Sequence, residues 1–285
     1  MGDRVLVDFH ADVRHRLRHF LWDERERKSA RAGALRRIME HGWKSCLFGG
    51  VVRDIIVKSP WVETRDIDIV VADVSTNDLE HAFADVMLRK TRFGGLTLNI
   101  GGWLFDVWPL SATWGCKFFP LFAESFSVLP KTTFFSVEAI AVELPVKHGV
   151  PRTIYQDKFL KSIETRTIML NLAENPYPEL CVVRAFALAR KLDFSLDVQL
   201  VRHLAGWAKR LPLSGIEKAM LSHYGKASFS SSELRLLIKR LRAHAESGDE
   251  FALRIPTVRQ MLLPFNRPEP LDHFLADCLD GAKRG

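Results

Sequence analysis

The sequence predicts an α+β head with a small mixed sheet, followed by an all-helical region. Three observations carry that expectation. Strand-like apolar runs cluster between residues 45 and 144. Helical patterns are interspersed among them. From Glu179 onward the apolar residues recur at spacings of three and four, with no further strand pattern.

The elements follow in order. Residues 9 to 42 read as helical: Leu17, Phe20 and Leu21, then Leu35, Ile38 and Met39, supply apolar positions at helical spacing. A basic stripe running from Arg14 to Arg37 reads as the solvated face of this amphipathic segment. Residues 45 to 49 form a short apolar run that ends in Gly49-Gly50, and Val51 to Val57 reads as a helix. Asp66 to Val71 has the composition of a buried strand, and a helix is expected near 76 to 89. Leu96 to Ile100 and Trp103 to Trp108 read as strands, joined by the hairpin signal Gly101-Gly102. Phe134 to Leu144 is apolar and fits strand or helix by periodicity. Glu179 to Leu192 and Leu196 to Leu211 read as helices. Ser230 to Glu233 is a capping box opening a helix with Leu234, Leu237, Ile238 and Leu241 on one face. Pro256, Pro264, Pro268 and Pro270 interrupt the last segment, where one more short helix is expected. The expected division is an N-terminal helical extension (1–40), a head (41–147) and a helical neck and C-terminal region (148–285).

With 285 residues, the chain is long enough to bury a sizeable core. No run of eighteen apolar residues suggests a membrane span, and the N-terminus lacks a secretory pattern. Cys46, Cys116, Cys181 and Cys278 are scattered without a Cys-x-x-Cys pair, so a reducing cytoplasm is expected rather than a disulfide framework. No His-Glu-x-x-His, Gly-x-Ser-x-Gly or P-loop run occurs, which argues against a zinc protease, a serine hydrolase and a Walker-type NTPase. The formal charge of +7 suits a polyanionic partner such as RNA or nucleotide phosphate.

The chemistry-bearing residues lie in the head. In Asp66-Ile67-Asp68-Ile69-Val70 the period of two places Asp66 and Asp68 on one face. Two carboxylates side by side on an apolar strand repel each other and lose hydration, which a divalent cation would relieve. Leu104-Phe105-Asp106-Val107-Trp108 carries a third carboxylate, Asp106, in an otherwise apolar strand. If the two strands are neighbours, the three acids form a site for Mg2+ or Mn2+. Upstream, Gly49-Gly50 precedes a helix whose N-terminus offers free N–H groups to phosphate, with Arg53 close by to pair with phosphate or carboxylate. Asp54 is expected to order the helix start or to pair with an arginine.

Gly-Gly-x-x-Arg-Asp followed by Arg65-Asp66-Ile67-Asp68, within LFGGVVRDIIVKSPWVETRDIDIVV, resembles the head signature of the poly(A) polymerase and CCA-adding tRNA nucleotidyltransferase family. The resemblance implies a polymerase-beta-like nucleotidyltransferase head, metal-binding roles for Asp66 and Asp68, and triphosphate binding by Gly49 and Gly50. It extends through Phe135–Ala141 to the segment from Arg184 to Phe194, which looks like the family's neck helix. The chain departs from the family at two places. Thr132, Thr133 and Phe134 stand where Arg-Arg-Asp is usual, Glu138 replaces Asn, and Lys131 is the nearby cation left to meet a nucleotide. Tyr177-Pro178-Glu179-Leu180-Cys181 occupies the place of the base-reading pattern. Cysteine and proline lack the paired donors and acceptors that reading a base requires, which argues against ordered CCA synthesis.

The function expected is transfer of a nucleoside monophosphate from an NTP to a hydroxyl acceptor, with RNA, and a tRNA 3′ end in particular, as the preferred partner. The alternatives are a small-molecule or protein acceptor, and a non-catalytic nucleotide- or RNA-binding protein on a decayed head. Lys209, Arg210, Arg235, Lys239, Arg240 and Arg242 offer a phosphate-binding surface on the helical region.

Overall fold

The computed structural model describes residues 2–22, 26–58, 66–91, 94–118, 125–145, 152–224 and 229–256. Two helices come first, α1 (Gly2–Trp22) and α2 (Glu26–Glu40). Their apolar positions are not an appendage: Val13, Leu17, Phe20 and Leu21 of α1 and Leu35 and Ile38 of α2 are fully buried in one cluster with the sheet. The head continues with β1 (Ser45–Phe48), α3 (Gly50–Val57), β2 (Asp66–Val71), α4 (Thr76–Ala82), β3 (Met87–Lys90), β4 (Leu96–Ile100), β5 (Trp103–Pro109) and α5 (Trp114–Phe118). After 3-10 turns at Phe126–Thr132 and Ser136–Glu138 come β6 (Ile140–Glu143) and β7 (Ile154–Gln156).

Among the described residues, seven strands form one mixed sheet in the order β3-β4-β5-β2-β1-β6-β7. The β2–β5 pair is parallel and its neighbours pair antiparallel. Alternation sorts the side chains. Ile67, Ile69, Val71, Phe105 and Val107 face the core shared with α1, α2 and α3, whereas Cys46, Val70 and Ala141 face a smaller cluster with Leu110, Val128 and Leu129. The hairpin expected at Gly101-Gly102 forms, with φ of 60° and 81°, the left-handed pair that a two-residue turn with right-handed strand twist requires.

The helical region comprises α6 (Phe159–Thr165), α7 (Pro178–Leu192), α8 (Val198–Arg210), α9 (Leu213–Tyr224) and α10 (Ser231–Ser247). Three two-residue strands, β8 (Thr167–Ile168), β9 (Ser195–Leu196) and β10 (Leu253–Arg254), staple these helices together. Its core holds Phe186, Leu200, Leu204, Leu234, Leu237 and Leu241. The capping box is present: the Ser230 hydroxyl accepts from the Glu233 N–H at 3.1 Å, and the Glu233 carboxylate accepts from the Ser230 N–H at 3.3 Å.

Three differences from the sequence reading have physical causes. The helix expected near 76 to 89 ends at Ala82, where Phe83 is sealed in the core and the chain turns. Met87–Lys90 then pairs with β4 as an edge strand; all four residues are exposed, so hydrophobic alternation could not reveal it. The undecided stretch 134 to 144 splits into a 3-10 turn and a strand because Ser136 leaves the sheet direction to bond elsewhere. Its hydroxyl accepts from the Met169 N–H at 2.8 Å and from Ser162 at 2.5 Å. The short helix expected in the last segment, with Pro264, Pro268 and Pro270, lies outside the described residues, as do Arg65 and Cys278. No helix among the described residues is long and apolar enough to cross a membrane.

Burial of α1 gives a direct test. Leu17→Ala opens a cavity between α1 and the sheet and is expected to lower unfolding free energy by about 2–5 kcal/mol, measured by urea denaturation. A change below about 0.5 kcal/mol would mean that α1 does not contribute to the head core.

Candidate active site

Parallel pairing of β2 with β5 sets Asp68 directly opposite Asp106. Residues in register on neighbouring strands present their side chains on the same face, so two carboxylates 38 positions apart in sequence meet on one side of the sheet. Both are half-buried. Thr97 of β4 is in register with Asp106 on its other side, is itself buried, and donates its hydroxyl to Asp106 Oδ1 at 2.6 Å. That bond fixes the rotamer of Asp106 and leaves its second oxygen for another partner. Asp66 opens β2 opposite Leu104, two residues before Asp68; its side chain lies outside the described ones. Among the described residues no three His, Cys, Asp or Glu side chains gather as a metal site. The donor set that is described consists of carboxylate oxygens on rigid strands, hard ligands that suit Mg2+ or Mn2+, which retain several waters.

The Gly-Gly turn sits where β1 passes into α3. Gly49 has φ 68° and ψ −126°, a conformation that a Cβ disfavours whatever space surrounds it. Its N–H donates to the Ile140 carbonyl at 2.9 Å, which ties the turn to β6. No side chain caps α3, so the N–H groups of its first turn are the donors an anion would meet.

Arg53 is placed differently from a simple phosphate ligand. It is 4% exposed, and its guanidinium donates to Asp54 at 2.9 Å and to Glu138 at 3.2 Å. Glu138 in turn receives two bonds from Arg184 of α7, at 2.7 and 2.8 Å. Lys191, two turns further along α7, donates to the other oxygen of Asp54 at 2.7 Å. Asp54 therefore pairs with an arginine, as expected, and with a lysine as well. Burial would raise the Asp54 carboxyl, but Arg53 and Lys191 together outweigh it and hold the group below the ordinary carboxylate value. Glu138 draws the Arg184 guanidinium upward against its desolvation. The chain Lys191–Asp54–Arg53–Glu138–Arg184 joins head to neck.

These groups border a cleft of about 270 Å³ lined by Gly50, Arg53, Asp68, Arg184, Lys191 and Tyr224, among others. The structure thus brings Gly50, Asp68 and Arg53 to one cleft, with Gly49 next to Gly50 in the turn and Asp106 in register with Asp68. Lys131 stands apart, exposed at the end of the 126–132 turn and not among the cleft-lining side chains. Sequence reasoning did not find Lys191, His223 or Tyr224 on the cleft wall, nor the role of Glu138. The one available signal was that Glu138 stands where the resemblance has Asn.

The two departures from the family pattern have structural counterparts. Thr133 is buried and its hydroxyl and carbonyl close a turn with Pro130 and Asn171, while Phe134 stacks on Trp207 with ring centroids 5.3 Å apart. At the start of α7 Pro178 occupies the first turn, and burial pushes the Cys181 thiol up to about 12, so it remains a neutral packing residue.

A mixed sheet with acidic residues on adjacent parallel strands, a Gly-Gly turn before a short helix, and a helical region joined to it through Arg184 and Lys191 make up a nucleotidyltransferase fold. The fold is shared with solved tRNA-processing enzymes. A tRNA-processing enzyme complex is 19% identical, with a TM-score of 0.53 over 76% of this chain and 58% of that one. The Thermotoga maritima CCA-adding enzyme complexed with tRNA is 16% identical, with a TM-score of 0.51 over 73% of this chain and 50% of that one. A tRNA nucleotidyltransferase with a primer tRNA and an incoming ATP analogue is 19% identical, with a TM-score of 0.52 over 74% of this chain and 62% of that one. This chain therefore spans between 50% and 62% of the length of these proteins. By sequence, it matches no family model and no curated protein.

The ion network predicts two outcomes. Glu138→Ala leaves two guanidiniums facing each other and is expected to cost about 3–5 kcal/mol in chemical denaturation. Asp54 has a lowered folded pKa, so its contribution is complete above the ordinary carboxylate value of 3.8 and is lost as pH falls through the depressed one. Stability measured across pH 2–5 (roughly the window in which carboxylates titrate) should fall less steeply in Asp54→Asn than in the wild type. Parallel curves would remove Asp54 from the acid transition.

Proposed function

We propose that this protein is a metal-dependent nucleotidyltransferase that moves a nucleoside monophosphate from an NTP to a hydroxyl acceptor, releasing pyrophosphate. The observation that carries the reading is the register of Asp68 against Asp106 on parallel strands beside the Gly49-Gly50 turn. In the proposed arrangement residues 41–147 supply the catalytic residues of a head whose sheet is completed by β7 and whose core includes α1 and α2, and the remainder of 148–285 forms the helical neck and C-terminal region.

Asp66, Asp68 and Asp106 would hold Mg2+ or Mn2+, which supplies neutralisation of charge on the attacking and leaving oxygens. The backbone of Gly49 and Gly50 and the first turn of α3 orient the triphosphate so that the α-phosphate faces the carboxylates. The acceptor oxygen forms a bond to the α-phosphorus as the bond to pyrophosphate breaks. Asp106, one of whose oxygens accepts from Thr97, would serve either as a shared metal ligand or as the base for the attacking hydroxyl. Arg53 supports this site by holding α3 against Glu138, and it contributes positive potential to the cleft wall. Lys131 is assigned a nucleotide contact made from outside the cleft.

RNA is the favoured acceptor, a tRNA 3′ end included. The net charge of +7 supports it, as does a second groove of about 470 Å³ between α8, α9 and α10 whose rim carries Arg235, Lys239 and Arg242. Among the described residues, Cys46, Cys116 and Cys181 are buried free thiols, which suits action in a reducing cytoplasm. A small-molecule or protein acceptor is the second reading, favoured by the start of α7, where Tyr177 to Cys181 offers a proline and a buried neutral thiol rather than base-reading groups.

The test is incorporation from each α-labelled NTP into total RNA with magnesium or manganese. Label is expected with wild type. Asp68→Ala or Asp106→Ala should lower it by about two to three orders of magnitude, the scale of losing one preorganised electrostatic group. Metal-dependent NTP binding without label in RNA would move the acceptor to a small molecule or protein. Equal label from wild type and both variants would overturn the assignment.

A further inference from the structure

On α1, His10, Arg14 and Arg18 recur every fourth residue and therefore share one face. That face meets Arg152, which stands just before β7: Arg14 Nε donates to the Arg152 backbone carbonyl at 3.2 Å. Of the described acids on α1, Asp8 makes no ion pair with these arginines, and Asp12, on another side of the helix, is taken up by Arg16 at 2.8 Å. Among the described residues no carboxylate pairs with Arg14, Arg18 or Arg152. Two polar atoms here are sealed from solvent without a hydrogen-bond partner among the described residues, Arg152 Nε and His10 Nε2. Burial, and then the charges of Arg18 and Arg14, pull the Arg152 guanidinium below its usual range. His10 is lowered in the same way, by burial and then by Arg14.

Such a cluster is costly as it stands. Like charges repel, and a sealed N–H donor with no acceptor forfeits its hydration. Arg53 and Arg190, by contrast, are matched by carboxylates, those of Glu138 and Glu233. The geometry points to a second anion site, formed by His10, Arg14, Arg18 and Arg152, that takes a phosphate group. Phosphate fits because its several acceptor oxygens can answer converging guanidinium donors together. The site is distinct from the cleft: α1 packs on the sheet face of Ile67, Ile69 and Phe105, opposite the face of Asp68 and Asp106. It does not depend on the proposed catalysis. The phosphate belongs either to a nucleic-acid backbone or to a free phosphate compound, and the shared chemistry is that of the anion.

The experiment uses the full chain. Thermal unfolding is followed with inorganic phosphate against chloride at equal ionic strength, for wild type, Arg152→Gln, Arg14→Gln and the cleft variant Gly49→Ala. Phosphate should stabilise wild type. Half-saturation should weaken about tenfold or more in each arginine variant, the scale of one charge-assisted hydrogen bond. Gly49→Ala should keep the effect. Circular dichroism and the unfolding midpoint in chloride show whether each variant is folded. Stabilisation that persists in both folded arginine variants, or its absence from wild type, would overturn the site. A second arm titrates an unstructured RNA oligonucleotide across salt concentrations. A fall in the salt slope of about 0.7 per lost contact in Arg14→Gln/Arg152→Gln assigns the phosphate to nucleic acid. An unchanged slope, with the phosphate effect abolished in that variant, assigns it to a free phosphate compound.

Discussion

One carboxylate, that of Glu138, joins the two halves of the molecule. It receives Arg53 from the short helix after the Gly-Gly turn and Arg184 from the neck helix. Arg53 then passes the connection to Asp54, and Asp54 returns it to the neck through Lys191. Ion pairs taken partly out of water are weak sources of stability, because desolvation offsets attraction. Their value here is geometric. Glu138 is the member whose loss leaves Arg184 without its carboxylate and breaks one link between α3 and α7; Asp54 and Lys191 supply the other. The cleft lies between those two helices, and its width is therefore set by this network.

The sheet provides the complementary rigidity. Its central strands are apolar on the face toward α1 and α2, where Ile67, Ile69, Phe105 and Val107 are completely buried. Close packing on that side holds the backbone of β2 and β5 in register, and the register holds Asp68 against Asp106 on the other side. Two half-buried acids are tolerated because Thr97 satisfies one oxygen and the cleft offers positive charge nearby. The acids thus sit on the best-anchored elements of the head. The elements proposed to bind the triphosphate sit at a turn, where glycine allows the backbone to approach a ligand.

Charge is distributed unevenly between the two faces of the head. On the cleft side each described buried cation has an acidic partner. Behind the sheet, Arg14, Arg18 and Arg152 gather without one among the described residues. Basic side chains thus lie away from the cleft as well, on α1 and on the rim of the α8–α10 groove. A polyanion would meet this protein over several surfaces at once.

The sequence by itself determined the local elements and the type of chemistry. Period two gave β2, β4 and β5, the capping box gave the start of α10, and Gly101-Gly102 gave the hairpin, because each depends on neighbours within a few residues. Gly49 was legible for the same reason, since a positive φ is a local demand. Tertiary structure alone decided that β2 and β5 are parallel neighbours, which turned two separate acids into one pair. It also decided that the exposed Met87–Lys90 is a strand, through pairing rather than pattern. Arg53 was read as a phosphate or carboxylate partner, and only the fold chose the carboxylates, one of them 85 residues away. Lys191 and Tyr224 reached the cleft wall in the same way, from helices whose sequences look like ordinary amphipathic surfaces. Long-range pairing obeys packing and charge balance over the whole chain, and no short window of sequence contains that information.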